Sequence, residues 1–175
     1  MNCPYCATQV KIDEDGVAQE ACTFCGALIR DEKSGILQIC QNGERYEFKK
    51  MQQHIFLEHI DQPVNDLKQY HTFDLYLLLK EVREARCQTF TGLRILNKAL
   101  DDDAQFKDTA DEVGNDYEYY TRKAWVIENI LLERQGFFPE RITDRVLQYV
   151  WEQIKKSKKK PMKISKIKRK EKACF

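Results

Sequence analysis

Two closely spaced pairs of cysteines constrain the N-terminal part of this chain more than any other feature. Cys3 and Cys6 form the first pair, Cys22 and Cys25 form the second, and fifteen residues separate the pairs. This C-x2-C-x15-C-x2-C spacing is that of a four-thiolate zinc site. Two residues between cysteines let a tight turn aim both sulfurs at one ion, and the longer excursion brings the second turn back to complete a tetrahedron. The pattern predicts one structural zinc ion, which substitutes for the hydrophobic core that about thirty residues cannot bury.

The same residues resemble the zinc ribbon family, in which two cysteine knuckles are carried on short β-hairpins. Cys3, Cys6, Cys22 and Cys25 match its four ligand positions, and Gly26 matches the glycine that often follows the second knuckle. Ala7 stands at the corresponding place in the first knuckle. The resemblance covers residues 1–30. It implies a rigid docking module of the kind common in transcription and replication machinery.

The first pair allows a second interpretation, because Cys3-Pro4-Tyr5-Cys6 is also the active-site motif of glutaredoxins. In those enzymes the pair follows a β-strand and opens a helix, whose N-terminus lowers the thiol pKa. Here the motif begins at residue 3 and is answered by a second pair, which favours the zinc site. An ion held by four thiolates has no open position for water. We therefore predict a protein that is not an enzyme, with thiol redox catalysis as the alternative.

The remainder of the chain is predicted to be mostly helical. Asn42-Gly43 lies between two β-prone runs, which indicates a β-hairpin over 36–48, and Lys49 to Ile60 is predicted to be a short helix. The predicted fold class is α+β, mostly α. A zinc ribbon over 1–32 and a hairpin segment over 33–48 precede a three-helix bundle over 49–154, made of an antiparallel helical hairpin and one further helix. A basic tail over 155–175 follows, which is expected to be disordered or partly helical near the bundle.

Apolar residues with three-and-four spacing define the helices of the predicted bundle. A first long helix starts at Thr72, a second ends at Gln135-Gly136, and a third starts at Thr143. The acidic run 101–103 is predicted to form the turn between the long helices. The apolar positions of the first helix are Leu75, Leu78, Leu79, Val82, Ala85, Leu93, Leu96 and Leu100. Those of the second form a heptad seam typical of coiled coils, at Val113, Tyr117, Tyr120, Ala124, Ile127 and Leu131.

The C-terminal segment has a very different composition from the body of the chain. Residues 155–175 contain eleven basic side chains and one acidic side chain, so the overall net charge of +1 conceals a tail of +10 and a body of −9. A lysine cluster of this density neutralises phosphates without reading bases. It predicts contact with DNA or RNA, or else with the acidic body of the chain itself. The candidate phosphate-binding residues are Lys155, Lys156, Lys158, Lys159, Lys160, Lys163, Lys166, Lys168, Arg169, Lys170 and Lys172.

Composition and the absence of further motifs narrow the function classes. The sequence has no apolar run long enough to span a membrane and no secretory signal, so we expect a cytoplasmic protein without membrane contact. It has no Walker A, G-x-S-x-G or dinucleotide motif, and no small-molecule substrate is indicated. We predict a nucleic-acid-associated accessory or regulatory protein. The alternative is a helical adaptor or homodimer that binds a protein partner through its helical seams.

Overall fold

The computed structural model describes residues 1–14, 17–31, 34–41, 43–100 and 104–163. The chain divides into two compact units. Met1–Phe48, together with the described residues from Gln153 onward, forms the first, which we call the N-terminal unit. Lys49–Glu152 forms the second, the helical unit.

Helices account for most of the regular structure, which confirms the predicted predominance of α structure. In chain order they are a 3-10 turn at Leu57–Asp61, α1 at Val64–Leu67, α2 at Thr72–Leu100, a 3-10 turn at Ala104–Phe106, α3 at Lys107–Gln135 and α4 at Asp144–Lys158. Among the residues described here, none of these helices combines the length and apolarity needed to cross a membrane.

The two long helices pack side by side and run antiparallel. Tyr76 Oη lies 3.1 Å from Gln135 Oε1, near the start of α2 and the end of α3, and the ring centroids of Phe90 and Tyr117 lie 5.5 Å apart further along the pair. The core is concentrated where the first half of α2 packs against the second half of α3. It contains Leu75, Leu78, Leu79, Val82, Ala124, Ile127, Ile130, Leu131 and Leu147. The more distant seam positions Ala85, Leu93, Leu96, Val113, Tyr117 and Tyr120 are only half-buried.

Local signals fixed several helix ends as predicted. Thr143 Oγ1 lies 3.4 Å from the Val146 N–H at the start of α4, as an N-cap does. Gly136 has a φ of +79° and donates its N–H to Leu132 O at 2.9 Å, which ends α3 in the left-handed conformation that glycine favours. The turn predicted at 101–103 lies outside the described residues.

The helix predicted over Lys49 to Ile60 was wrong, except for its last turn at Leu57–Asp61. The Gln52 N–H donates to Asp74 Oδ2 at 2.9 Å, so a carboxylate in the first turn of α2 takes a donor that a helix would have used internally. Tertiary bonding therefore overrides the apolar spacing of this segment.

The N-terminal unit is built from turns joined by isolated antiparallel bridges. The bridges pair Asn2 with Gln9, Ile12 with Ala18, Ala21 with Leu28, Arg30 with Leu37 and Asn2 with Cys40. The hairpin predicted over 36–48 is not confirmed, because Leu37 and Cys40 pair with earlier residues instead of with 44–48. Asn42, part of its predicted turn, lies outside the described residues.

Candidate metal centre

Two turns of the same geometry present the four paired cysteines. In the first knuckle, Cys3–Ala7, the Ala7 N–H donates to Cys3 O at 3.0 Å. In the second knuckle, Cys22–Gly26, the Gly26 N–H donates to Cys22 O at 2.9 Å. An antiparallel bridge closes each turn, at one residue before and six residues after its first cysteine. The repeated geometry explains why a two-residue spacing directs both sulfurs of a pair to the same side.

Each knuckle ends in a left-handed backbone conformation. Gly26 has a φ of +70°, and Ala7, at the equivalent position, has a φ of +61°. Ala7 is the only residue other than glycine with a positive φ in the part of the chain that the structure describes. The turn therefore forces on alanine a conformation that costs L-residues about 1–2 kcal/mol.

The four sulfur atoms form a compact cluster. Cys3 Sγ lies 3.7 Å from Cys25 Sγ, Cys6 Sγ lies 3.5 Å from Cys22 Sγ, and all four lie within 4.8 Å of one another. A tetrahedral ion with metal–sulfur bonds of about 2.3 Å separates its ligands by about 3.8 Å. The predicted ligands are thus brought together at the spacing that a single ion requires. The described residues include no other group of three or more His, Cys, Asp or Glu side chains gathered in this way.

The sulfur cluster is also the centre of a small hydrophobic core. Cys3 and Cys22 are buried with Val10, Ala18 and Ile29, and Cys6, Leu37 and Ile39 pack against them. Burial restricts access of solvent to one side of the cluster, whereas Cys25 is exposed on the other. With so few large apolar side chains inside, a bound ion would supply much of the stability of this unit.

The thiols of the cluster differ strongly in acidity. The Thr8 side chain, 3.2 Å from Cys6 Sγ, lowers the pKa of Cys6 to about 6, and backbone N–H groups of its own turn lower the pKa of Cys22. Burial raises the pKa of Cys3. A backbone N–H favours the thiolate of Cys25, but desolvation of its sulfur within the cluster and hydrogen bonds with the other thiols outweigh it and raise the pKa of Cys25 to about 12. Four adjacent thiols cannot all ionise unless a cation compensates their charge.

Cys40 lies beside the cluster but serves a different role. It is buried, and its Sγ lies 3.4 Å from both Asn2 O and Cys3 O, to which the thiol donates. Burial raises the pKa of Cys40, so the proton needed for these hydrogen bonds is retained. Cys40 therefore supports the backbone of the first knuckle.

The structure places the candidate phosphate-binding residues at the end of α4 and just beyond it. Lys155, Lys156 and Lys158 belong to the last turn of α4, and Lys159, Lys160 and Lys163 follow it. All six side chains are exposed. Lys166, Lys168, Arg169, Lys170 and Lys172 lie outside the described residues.

Sequence patterns did not reveal the residues that contact this basic segment. Glu47 Oε1 lies 2.6 Å from Lys158 Nζ, Arg45 Nε donates to Lys160 O at 2.9 Å, and the Met162 N–H donates to Gly43 O at 2.7 Å. The only available signal was the opposite charge of Glu47 and the lysines.

Comparison of the chain with protein-family models, curated proteins and solved structures found no match.

Proposed function

We propose that this chain is a non-enzymatic zinc-binding protein that associates with nucleic acid as an accessory or regulatory factor. The observation that carries the proposal is the cluster of four cysteine sulfurs within 4.8 Å of one another. In this proposal Cys3, Cys6, Cys22 and Cys25 bind one structural zinc ion and give residues 1–32 a zinc-ribbon fold. Four thiolates complete the coordination of zinc, so the site stabilises a surface and catalyses no reaction.

Metal analysis of the purified chain tests the first half of the proposal. We expect one zinc per chain and four thiols that become reactive only after chelation. Cys6→Ser should lose the metal, whereas Cys87→Ser, which changes an exposed single cysteine outside the cluster, should retain it. Tetrahedral sulfur sites also accept iron, so stoichiometric iron would contradict the zinc assignment. A metal-free protein with a reactive Cys6 thiol would favour redox chemistry.

Association with nucleic acid is supported by the distribution of charge. The sequence ranges 1–48 and 153–175 together carry 15 basic and 9 acidic side chains, a net charge of +6. The described residues of the N-terminal unit carry 9 basic and 6 acidic side chains of these, a net charge of +3. Residues 49–152 carry 14 basic and 19 acidic side chains, a net charge of −5. Exposed lysines bind phosphates by releasing counterions, independently of base sequence. The positive charge thus belongs to the same unit as the proposed zinc site.

Salt titration of binding to DNA and RNA tests this second half. We expect affinity to fall steeply with salt concentration, by roughly one power of the salt concentration for each phosphate contact. Replacing Lys156, Lys159 and Lys160 by glutamine should weaken binding and reduce that slope. The matched control replaces Lys50, Lys98 and Lys107, which are exposed lysines of the helical unit. If the intact chain binds no nucleic acid at low salt, this half of the proposal fails.

A second candidate function, binding of a protein partner or of a second copy, is favoured by the outer part of the α2–α3 pair. Phe90 and Ile95 are exposed there, with 45% and 64% of their surface accessible. The charged residues of α2 from 86 onward are all basic, whereas those of α3 up to 120 are nearly all acidic. Two copies packed with α2 against the partner's α3 would pair these charges. Sedimentation equilibrium at low and high salt distinguishes a dimer from a monomer.

A further inference from the structure

The described part of the basic segment is held in place by its own backbone and not only by its charges. The Met162 N–H donates to Gly43 O at 2.7 Å, and Arg45 Nε donates to Lys160 O at 2.9 Å. The ion pair between Lys158 and Glu47 adds a third contact. Residues 158–163, which we call the basic arm, therefore lie along residues 43–47.

The place where the arm docks is continuous with the sulfur cluster. Cys40 and Asn2 exchange two backbone hydrogen bonds, each of 2.9 Å, and Asn2 directly precedes the first cysteine of the cluster. Gly43 follows Cys40 after two further residues, and the Glu44 N–H donates to Gln41 O at 2.9 Å, so the start of the docking strip 43–47 is tied to the segment that pairs with the first knuckle. An ion that ordered the knuckle would therefore also help to order the strip that holds the arm.

Aromatic residues precede and follow Glu47, the acidic member of the ion pair that anchors the arm. Glu47 lies between Tyr46 and Phe48 in sequence, and the ring centroids of those two residues are 5.0 Å apart. The Phe48 ring is also 4.7 Å from the ring of Tyr5, which belongs to the first knuckle. Tyr5 and Phe48 remain accessible over 58% and 47% of their surface. The N-terminal unit thus contains both exposed aromatic rings and a lysine-rich segment that docks on residues 43–47.

We propose that the aromatic cluster Tyr5, Tyr46 and Phe48, with the docked arm, forms a binding site for single-stranded nucleic acid. The inference rests on the proposed association with nucleic acid and specifies its ligand. Unpaired bases can stack on exposed rings while lysines neutralise the adjacent phosphates, whereas bases inside a duplex are already stacked. Neither group reads base identity, so the site is expected to tolerate most sequences.

Gly43 gives a direct way to displace the arm. A Cβ at this position would lie 2.9 Å from both Met162 O and Lys163 Cγ, closer than such contacts are found, and the φ of +74° adds strain. Gly35 has a similar φ of +67°, yet its Cβ would meet nothing within 4 Å. Gly43→Ala and Gly35→Ala therefore share the backbone strain and differ in the collision with the arm.

The experiment compares the zinc-loaded full-length variants in two measurements. Hydrogen exchange of the amides of residues 158–163 reports docking, and fluorescence anisotropy reports affinity for an oligothymidine strand and for a duplex of equal length. We expect wild type to prefer the single strand. Gly43→Ala should lose protection of the arm and bind the strand roughly threefold or more weakly, because the arm is no longer pre-organised. Gly35→Ala should retain both properties.

Phe48→Leu tests the stacking surface separately. Loss of one stacked base should weaken single-strand binding about tenfold and leave the weaker duplex binding unchanged. The inference would be overturned if Phe48→Leu lost affinity equally for the strand and the duplex. It would also be overturned if Gly43→Ala released the arm and yet bound the strand as tightly as wild type. Neither result would contradict nucleic-acid binding itself. Wild-type protein that binds neither ligand would instead overturn the proposed function, and exchange data would still report whether the arm docks.

Discussion

The two knuckles share a left-handed backbone conformation at the position that follows each cysteine pair, but different residues occupy that position. Gly26 adopts a φ of +70° at little cost, whereas Ala7 adopts +61° with a Cβ that disfavours it. The hydrogen bonds that close both turns have nearly equal lengths, 3.0 and 2.9 Å. The strain at Ala7 is therefore imposed by the turn, which two cysteines directed at one site require.

This asymmetry predicts that Ala7→Gly stabilises the N-terminal unit. Relief of the left-handed strain outweighs the greater freedom of glycine in the unfolded chain by about 0.5–1 kcal/mol. The reverse change, Gly26→Ala, should destabilise by about the same amount, since its Cβ would meet no atom within 4 Å and backbone strain is the only cost. The measurement is zinc retention against a competing chelator in increasing denaturant. Equal behaviour of both variants would contradict the prediction.

Replacement of Cys40, the thiol beside the sulfur cluster, tests structural support separately from metal ligation. Cys40→Ala should keep one metal ion per chain, because the sulfur of Cys40 donates to backbone carbonyls and does not belong to the cluster. Loss of two weak hydrogen bonds and a small amount of buried volume should cost about 1 kcal/mol. Cys22→Ala, which removes a buried member of the cluster, should lose the metal. Metal analysis distinguishes them, and loss of metal from Cys40→Ala would show a role in ligation.

At the scale of the elements, one arginine ties the connector between α3 and α4 to the long helices. Arg83 on α2 donates to Pro139 O and Glu140 O, both at 2.9 Å, and pairs with Glu128 on α3 at 2.7 Å. The planar guanidinium reaches three acceptors at once, which an ammonium group cannot do in the same geometry. Arg83 therefore organises the link to α4 as well as the α2–α3 contact.

Arg83→Lys is accordingly expected to destabilise the helical unit by about 2 kcal/mol although the charge is kept. The control is Arg86→Lys, one turn further along α2, which forms no ion pair among the residues that the structure describes. Urea unfolding followed by circular dichroism at 222 nm measures both. A loss shared equally by the control would show that helix propensity, and not the connector contact, is responsible.

A buried carboxylate at the start of α2 makes the stability of this unit depend on pH. Asp74 has 1% of its surface exposed, and burial raises its pKa although the Gln52 N–H favours the charged form. Between the usual carboxyl pKa and this raised value, the folded chain holds a proton that the unfolded chain has released. The free energy of unfolding therefore falls as pH rises through that window, by at most about 1.4 kcal/mol per pH unit.

Asp74→Asn should abolish this slope, because the amide oxygen still accepts the Gln52 N–H and nothing titrates. The difference in unfolding free energy between variant and wild type should grow with pH and then level off. Asp144→Asn provides a control of opposite sign, since the Lys80 ammonium holds the pKa of Asp144 below its usual value. Asp144→Asn should lower the free energy of unfolding at neutral pH, and this decrease should disappear in acid. A flat difference for Asp74→Asn would contradict the assignment.

Elements governed by local chemistry could be predicted from the sequence, and those governed by distant partners could not. The two-residue spacing within each cysteine pair, the apolar periodicity of α2 and α3, the Thr143 cap and the Gly136 stop each act within a few residues. The pairing of Cys40 with Asn2 and the docking of Met162 on Gly43 depend on residues far apart in the chain. No local pattern specifies these two contacts. The sequence therefore predicted a hairpin where Cys40 pairs with Asn2, and it did not predict that the basic segment docks on Gly43.

At the scale of the whole molecule, the net charge of +1 is the sum of two opposite contributions along the sequence. Residues 1–48 and 153–175 together carry +6, and residues 49–152 carry −5. The units also differ in their sources of stability. The helical unit buries a continuous set of leucine, isoleucine and valine side chains, whereas the N-terminal unit buries Val10, Ala18 and Ile29 around thiols. Removal of a bound metal should therefore affect them unequally.

We expect chelation to unfold the N-terminal unit and leave the helical unit folded. Without a cation the clustered thiols repel one another when ionised, and at pH 7 at least two of them, Cys3 and Cys25, must take up protons. Hydrogen exchange should then show amides of residues 1–48 losing protection, while those of α2 and α3 keep theirs and the helical circular dichroism changes little. Zinc added back should restore protection. Cooperative loss in both units on chelation would mean that the helical core, large as it is, depends on the metal-stabilised unit.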